Sequence, residues 1–348
     1  MIIWQNPVRL LELLTMKNII FPLISAAVVF IAGCGENVGY VIKPIPMEER
    51  LVERIVATEP GWFVTDRIAV IDVDGLLFNQ RMGWFGFEDN PVSLFTEKMD
   101  AVSADPRVKA VVLRINSPGG GVNASDLMYR RLMSMKESRN IPVVAVIQDV
   151  GASGGYFLAC GADEIIANPA SITGSIGVIV QTFSFAGTMQ KLGIDAQSVT
   201  SGPRKDMSSP LKPIDADDIA VLQGIVDEFH SRFVDVVAEG RQGLDRPDIE
   251  RLADGRVWTG DQARELGFVD HVGYLEEGIS LAKQLSGATV VKVVMYSRPW
   301  GYRSSVYASS DAPVADASGN VNFNLVNLNM PDMFGLTQPA FLYLWTGK

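Results

Sequence analysis

Three short apolar runs, "IAVIDV" at 68–73, "AVVLRI" at 110–115 and "PVVAVI" at 142–147, constrain this chain most. Each is rich in β-branched residues and too short to be a buried helix, so each reads as a strand with both faces covered. Between them lie segments of helical period, "SLFTEKMDAVSAD" and the stretch from Ala124 to Lys136. Strands alternating with helices of this length form parallel βαβ units and stack into an α/β layered domain. The pattern continues with strands at "DEIIANP" and "GSIGVIVQ", a long amphipathic helix over 215–241, and a turn, helix and short extended piece in "WTGDQARELGFVDHVG". A last helix over 275–286 leads into the strand "TVVKVVMYS". There is no internal repeat.

The 348 residues, 47% hydrophobic and 20% charged, suffice for a sizeable core. A net charge of −10 argues against nucleic acid as a partner, because a phosphate backbone calls for a basic surface. Cys34, Cys160, His230 and His271 lack the paired spacing of zinc sites, so neither a metal nor a cofactor is expected.

The flanks differ from this body. "MKNIIFPLISAAVVFIAGCG" begins at Met16, with Lys17 as a basic start and an apolar stretch of 14 residues from Ile19 to Ala32. That is short for a membrane span but suits the hydrophobic region of a signal peptide. Its end, Ile31-Ala32-Gly33-Cys34, resembles the bacterial lipoprotein box, in which Cys34 becomes the lipidated first residue of the mature protein. Residues 1–34 are therefore expected to be a signal segment, and the protein to be exported and membrane-anchored through Cys34. Residues 35–65 read as a linker with a short helix around "MEERLVERIV". After residue 300 a small, polar, Asn-rich tail ends in the apolar "PAFLYLW". An apolar tip on such a tail is expected to dock, and a peptide groove of this chain or of a neighbour is the expected place.

Chemistry concentrates in "DVGASGGYFLACGA" at 149–162, directly after the third strand. Ser153 there is either a helix N-cap or an exposed nucleophile at a strand-turn-helix junction, where backbone amides can face developing negative charge. Upstream, "NSPGGG" closes another strand. Its glycines permit positive φ and expose amides, as an oxyanion hole requires, while the lysine-serine pair of a phosphate-binding loop is missing. A nucleophilic serine needs a base. His230 and His271 both remain open on spacing alone, and a lysine serves if burial in a water-poor cleft lowers its pKa from about 10.4 toward about 7–8. Cys160 reads as a core thiol.

"INSPGGG", "GASGGYFLACGADEIIANPASITGSIGVI" and "SGPRKDMSSP", in this order, resemble the signal peptide peptidase family, the Ser/Lys peptidases related to bacterial protease IV. The likeness spans about residues 66–285, and the peptidase domain is set at 66–299. The resemblance implies a fold similar to the Clp protease and crotonase superfamily. It makes Ser153 the nucleophile, Lys205 the general base and Ser175 a hydroxyl that orients the lysine. It also places the oxyanion hole at the amides of Gly120 and Gly154, with Arg204 disfavouring a second positive charge beside it. The implied substrates are signal-peptide remnants or other unfolded apolar peptides. With one copy of the domain the chain resembles the short form of the family, whose rings have neighbours that help complete each site, so a homo-oligomer is expected. Trp84, Phe85 and Phe87 are candidates for an entrance or an intersubunit contact. Two alternatives stand beside this reading: a crotonase-type acyl-CoA enzyme, and a non-catalytic membrane-tethered scaffold of the same fold.

Overall fold

The structure, a computed structural model, describes residues 51–80, 89–298 and 340–347. The signal segment, Cys34, and the aromatics Trp84, Phe85 and Phe87 lie outside the described residues.

Strands β1 (Val52–Thr58), β2 (Arg67–Leu77) and β3 (Val108–Gly121) open the domain, with helix α1 (Pro91–Ala104) between β2 and β3. Helix α2 (Val122–Arg139), strand β4 (Val143–Ala152) and the short helix α3 (Gly154–Ala159) follow. Then come β5 (Glu164–Ala167), β6 (Ile172–Gly174), β7 (Ile179–Val180), α4 (Ala186–Lys191) and the long α5 (Ala216–Gly240). The remainder is α6 (Arg246–Leu252), β8 (Val257–Thr259), α7 (Gly260–Glu265), β9 (His271–Val272), α8 (Leu275–Ser286), β10 (Lys292–Ser297) and β11 (Phe341–Leu344).

The main sheet runs β1-β10-β2-β3-β4-β5-β9, parallel throughout except for β1, which is antiparallel to β10. Because side chains alternate across a strand, β2 sends Ala69, Ile71 and Val73 to one face and Ile68 and Val70 to the other. The first face is covered by apolar residues of α1, α2, α3 and α5, among them Phe95, Leu132, Phe157 and Phe233. The second is covered by α8 through Leu275 and Ala282. This is the expected layered α/β fold of repeated βαβ units. No described helix is long and apolar enough to cross a membrane.

Two expectations are corrected. The stretch read as a linker with a short helix holds β1 instead: residues 52–58 pair with Ser297–Lys292 of β10 and cover that edge of the sheet. Charged residues at helical spacing suggested the helix, and an edge strand tolerates the same charges. The second correction concerns "NSPGGG", expected as a turn. It stays extended, and β3 runs on to Gly121 because Asn116, Gly119 and Gly120 still pair with β2.

Asp72 and Arg114 are cross-strand partners inside the sheet, 2.6 Å apart and both buried. A buried ion pair is weak as a source of stability but costly to break by halves. Arg114→Met should therefore destabilise the domain by about 3–5 kcal/mol in urea unfolding, and adding Asp72→Leu should recover most of that loss. Cys160 is a core thiol as expected. Burial pushes it up to about 12 against the pull of the Arg241 cation. At pH 8 iodoacetamide should leave Cys160 unmodified in the folded chain and alkylate it after denaturation, as read by peptide mass mapping.

Candidate active site

β4 ends at Ala152, and the chain turns at Ser153 into α3. Ser153 has φ 52° and ψ −117°, a conformation outside the ordinary wells of an L-residue. Three contacts hold it there. Its amide donates to the Gly174 carbonyl at 2.8 Å, its carbonyl accepts from the Phe157 amide at 2.8 Å, and β4 pairs with β6 up to Ala152 opposite Gly174. The side chain does not cap α3, and Oγ is buried with no hydrogen-bond partner. An ordinary N-cap serine spends its hydroxyl on the helix. Here the hydroxyl is left available, at a strained turn.

Ser175 follows Gly174, so the β4–β6 pairing sets it next to the turn. It too has positive φ, 50°, and is buried, with its amide donating to the Arg256 carbonyl at 2.7 Å.

The glycines of β3 lie on the other side of Ser153. Gly119 has φ 101°, and a Cβ there would collide with the Tyr343 carbonyl oxygen and lie 2.6 Å from the Gly154 amide nitrogen. Its own amide is engaged, donating to Ser117 Oγ at 3.1 Å, while Ser117 Oγ donates to the Gly75 carbonyl at 2.6 Å. Gly120 is the register partner of Tyr343. Gly154 is the first residue of α3, so its amide is one of the donors a helix leaves unused. A Cβ on Gly154 would overlap Ser125 Oγ and sit 3.2 Å from the Tyr343 carbonyl oxygen. The Tyr343 carbonyl oxygen thus fills the space between Gly119 and Gly154, the residue after Ser153.

The remaining candidates lie elsewhere. Lys205 is exposed in a turn, where its amide donates to the Gly202 carbonyl at 3.2 Å, and it does not bond Ser153 within one chain. Arg204 does not act on Lys205 as a free cation, contrary to the sequence reading. Its guanidinium bonds Asp217 and Asp218 at 2.8 Å each, and these carboxylates neutralise it. Lys212 reaches Asp206 and Asp218, so the 204–212 loop is pinned to the start of α5 by its charges. Neither histidine attends the serine: His230 Nε2 bonds the Ala253 carbonyl at 2.8 Å, and His271 faces Glu164 at 3.3 Å.

Sequence reasoning passed over the ring cluster beside this space. Phe157 on α3 and Phe229 and Phe233 on α5 converge there. The only hint in the sequence was two phenylalanines four residues apart, which any core-facing helix shows.

Residues 135–289 match Peptidase family S49. The chain is 34% identical over 241 residues to a putative signal peptide peptidase of Enterococcus faecium, covering 69% of this chain and 70% of that protein. It is 34% identical over 219 residues to a putative protease of Methanocaldococcus jannaschii, covering 63% and 70%. A solved structure of a membrane-bound stomatin-specific protease in complex with a substrate peptide is similar at 14% identity. That match covers 68% of this chain and 94% of the other, with a TM-score of 0.44. The chain belongs to peptidase family S49 and is a serine endopeptidase with a layered α/β fold.

Proposed function

We propose that Ser153 is the nucleophile of a Ser/Lys endopeptidase whose base, Lys205, reaches the serine from a neighbouring copy of the chain. The observation that carries this reading is the state of Ser153: a buried, unpartnered hydroxyl on a strained strand-to-helix turn. The exposure of Lys205 supports the second half. In the segment that precedes it in sequence, Phe183, Phe185, Leu192, Ile194 and Val199 are large apolar residues left at the surface, with Val199 97% exposed. A surface of this kind beside a catalytic candidate suits contact with a second copy.

In the resulting mechanism the uncharged lysine amine takes the proton of Ser153 as Oγ bonds to a peptide carbonyl carbon. The amides of Gly120 and Gly154 receive the oxyanion, and the lysine returns the proton to the leaving amine as the C–N bond breaks. Water then attacks the acyl-enzyme with the same lysine as base, freeing the new carboxylate and restoring Oγ–H. Ser175, one residue beyond the carbonyl that holds the Ser153 amide, orients the incoming amine by its hydroxyl. The substrates are unfolded apolar peptides such as signal-peptide remnants. The protein is exported and anchored to a membrane through its N-terminal segment, by lipid on Cys34, and it assembles as a homo-oligomer.

Ser153→Ala and Lys205→Ala should each abolish cleavage of casein, and a fluorophosphonate should label Ser153 alone. Neither variant cleaves by itself, yet co-assembled in equal amounts they should regain about a quarter of wild-type activity, because one site in four then receives both intact groups. A mixture that stays inactive, in assemblies shown to contain both variants, argues for a base from the same chain. Full activity in both single variants removes the dyad altogether.

A further inference from the structure

Lys205 stands at the end of an exposed stretch of chain. Residues 194–200 form neither helix nor strand, and residues 191–201 are exposed throughout. A general base has to be held in one place relative to the hydroxyl it serves, and an irregular segment does not fix a side chain that closely by itself.

The anchoring comes from the residues on either side of the lysine. Arg204, directly before it, donates to Asp217 and to Asp218 at 2.8 Å each. Asp206, directly after it, accepts from Lys212 Nζ at 2.9 Å, and the same Nζ lies 2.7 Å from the second oxygen of Asp218. Both flanks of Lys205 therefore converge on one carboxylate. Asp218 is 3% exposed, whereas the side chain of Asp217 beside it faces solvent. It belongs to the first turn of α5, where the helix dipole favours an anion, and Lys212 and Arg204 hold its carboxyl below the ordinary carboxylate range. Further along, α5 enters the core through Phe233, Val234, Val236 and Val237. Asp218 thus ties the lysine turn to an element packed against the sheet.

The same bonds use up the acids of the turn. Asp206, Asp217 and Asp218 are each taken by Arg204 or Lys212, and among the described residues Lys205 pairs with no carboxylate. A lysine paired with a carboxylate is a poor base, because the pairing favours its charged form.

We propose that Asp218 is a positioning residue for the Ser/Lys reaction: it clamps Arg204 and Lys212, and through them the turn that presents Lys205 free of acid partners. The inference rests on the reading of Lys205 as the base. An isolated surface ion pair fixes little, but here one buried carboxylate takes two cations that bracket the same lysine in sequence.

The test uses the full-length chain. Asp218→Asn keeps the size of the side chain and removes its charge. It should lower kcat for a fluorogenic apolar peptide about a hundredfold and leave KM within about twofold, because the base is displaced and the substrate is not. Lys212→Met should also lower kcat, while Lys212→Arg, which keeps the charge, should retain most of the activity; this pair serves if Asp218→Asn does not fold. The sharper readout is which copy must carry Asp218. Ser153→Ala chains mixed with Lys205→Ala chains provide the parent activity. Asp218→Asn added to the Ser153→Ala chain, which supplies the lysine, should abolish that activity, and the loss should be confined to this arrangement. An equal loss from Asp218→Asn on the Lys205→Ala chain marks a general defect of folding or assembly and overturns the proposal. If the parent mixture is inactive, the base belongs to the same chain as the serine, and the kcat loss at constant KM with retention in Lys212→Arg decides instead; a raised KM or equal losses in Lys212→Met and Lys212→Arg then overturn the clamp. Fully active Lys205→Ala removes the dyad and the clamp with it. Inactive Lys205→Ala beside fully active Asp218→Asn leaves the dyad standing and defeats the clamp alone.

Discussion

The backbone at Ser153 is the constraint on which the site depends. A φ of 52° with ψ −117° costs of the order of 1–3 kcal/mol for a residue with a side chain, and such a conformation persists only when its surroundings over-determine it. Two elements supply those surroundings here. β6 takes the Ser153 amide through Gly174, and α3 takes its carbonyl through Phe157. The outcome is a hydroxyl that is buried but uncommitted. A relaxed turn would have let the side chain cap α3 and bury its oxygen in a hydrogen bond, as serines at helix starts normally do.

From this turn the requirements spread outward. The Gly154 amide can face the same space only if β3 comes close, and β3 comes close only because Gly119 has no side chain to collide with Gly154 and the tail. β3 in turn keeps its direction past the ordinary end of the sheet because β2 continues to pair with it as far as Gly120. The Asp72–Arg114 pair lies on the same two strands, a few residues before this extension. The apolar layers on both faces of β2, β3 and β4 make these strands rigid where the amides are presented. Layer packing and catalytic geometry are thus two ends of the same strands.

How much of this was legible in the sequence follows the range of the interaction that decides each feature. The central strands were legible because burial on both faces leaves an apolar run that needs no partner to be recognised. The helix over 275–286 was legible in its amphipathic period and in the glycine after it, Gly287, which has positive φ. Residues 52–58 were misjudged as helical because their charges fit either element, and only the free edge of β10 decides for a strand. "NSPGGG" was misjudged as a turn because glycines rarely sustain a strand; pairing with β2 on one side and with β11 on the other does so. Small residues around Ser153 marked the turn, but its strain depends on Gly174, twenty-one residues further along. The rings of Phe157, Phe229 and Phe233 carry no mark that separates a pocket from a core, since what distinguishes them is a tyrosine more than a hundred residues away.

Lys205 lies beyond any single-chain reading, and its position gives the arrangement its logic. A chain on its own holds a serine with a buried, unpaired hydroxyl, a tail carbonyl crowded against Gly119 and Gly154, and an exposed lysine that does not bond that serine. In the mechanism proposed above, a neighbour brings its lysine to the serine before a peptide can be cut. In that mechanism a copy that has not yet assembled lacks its base. For an enzyme that cuts unfolded segments, as proposed, that restraint would keep the hydrolytic site idle until the chain has neighbours around it.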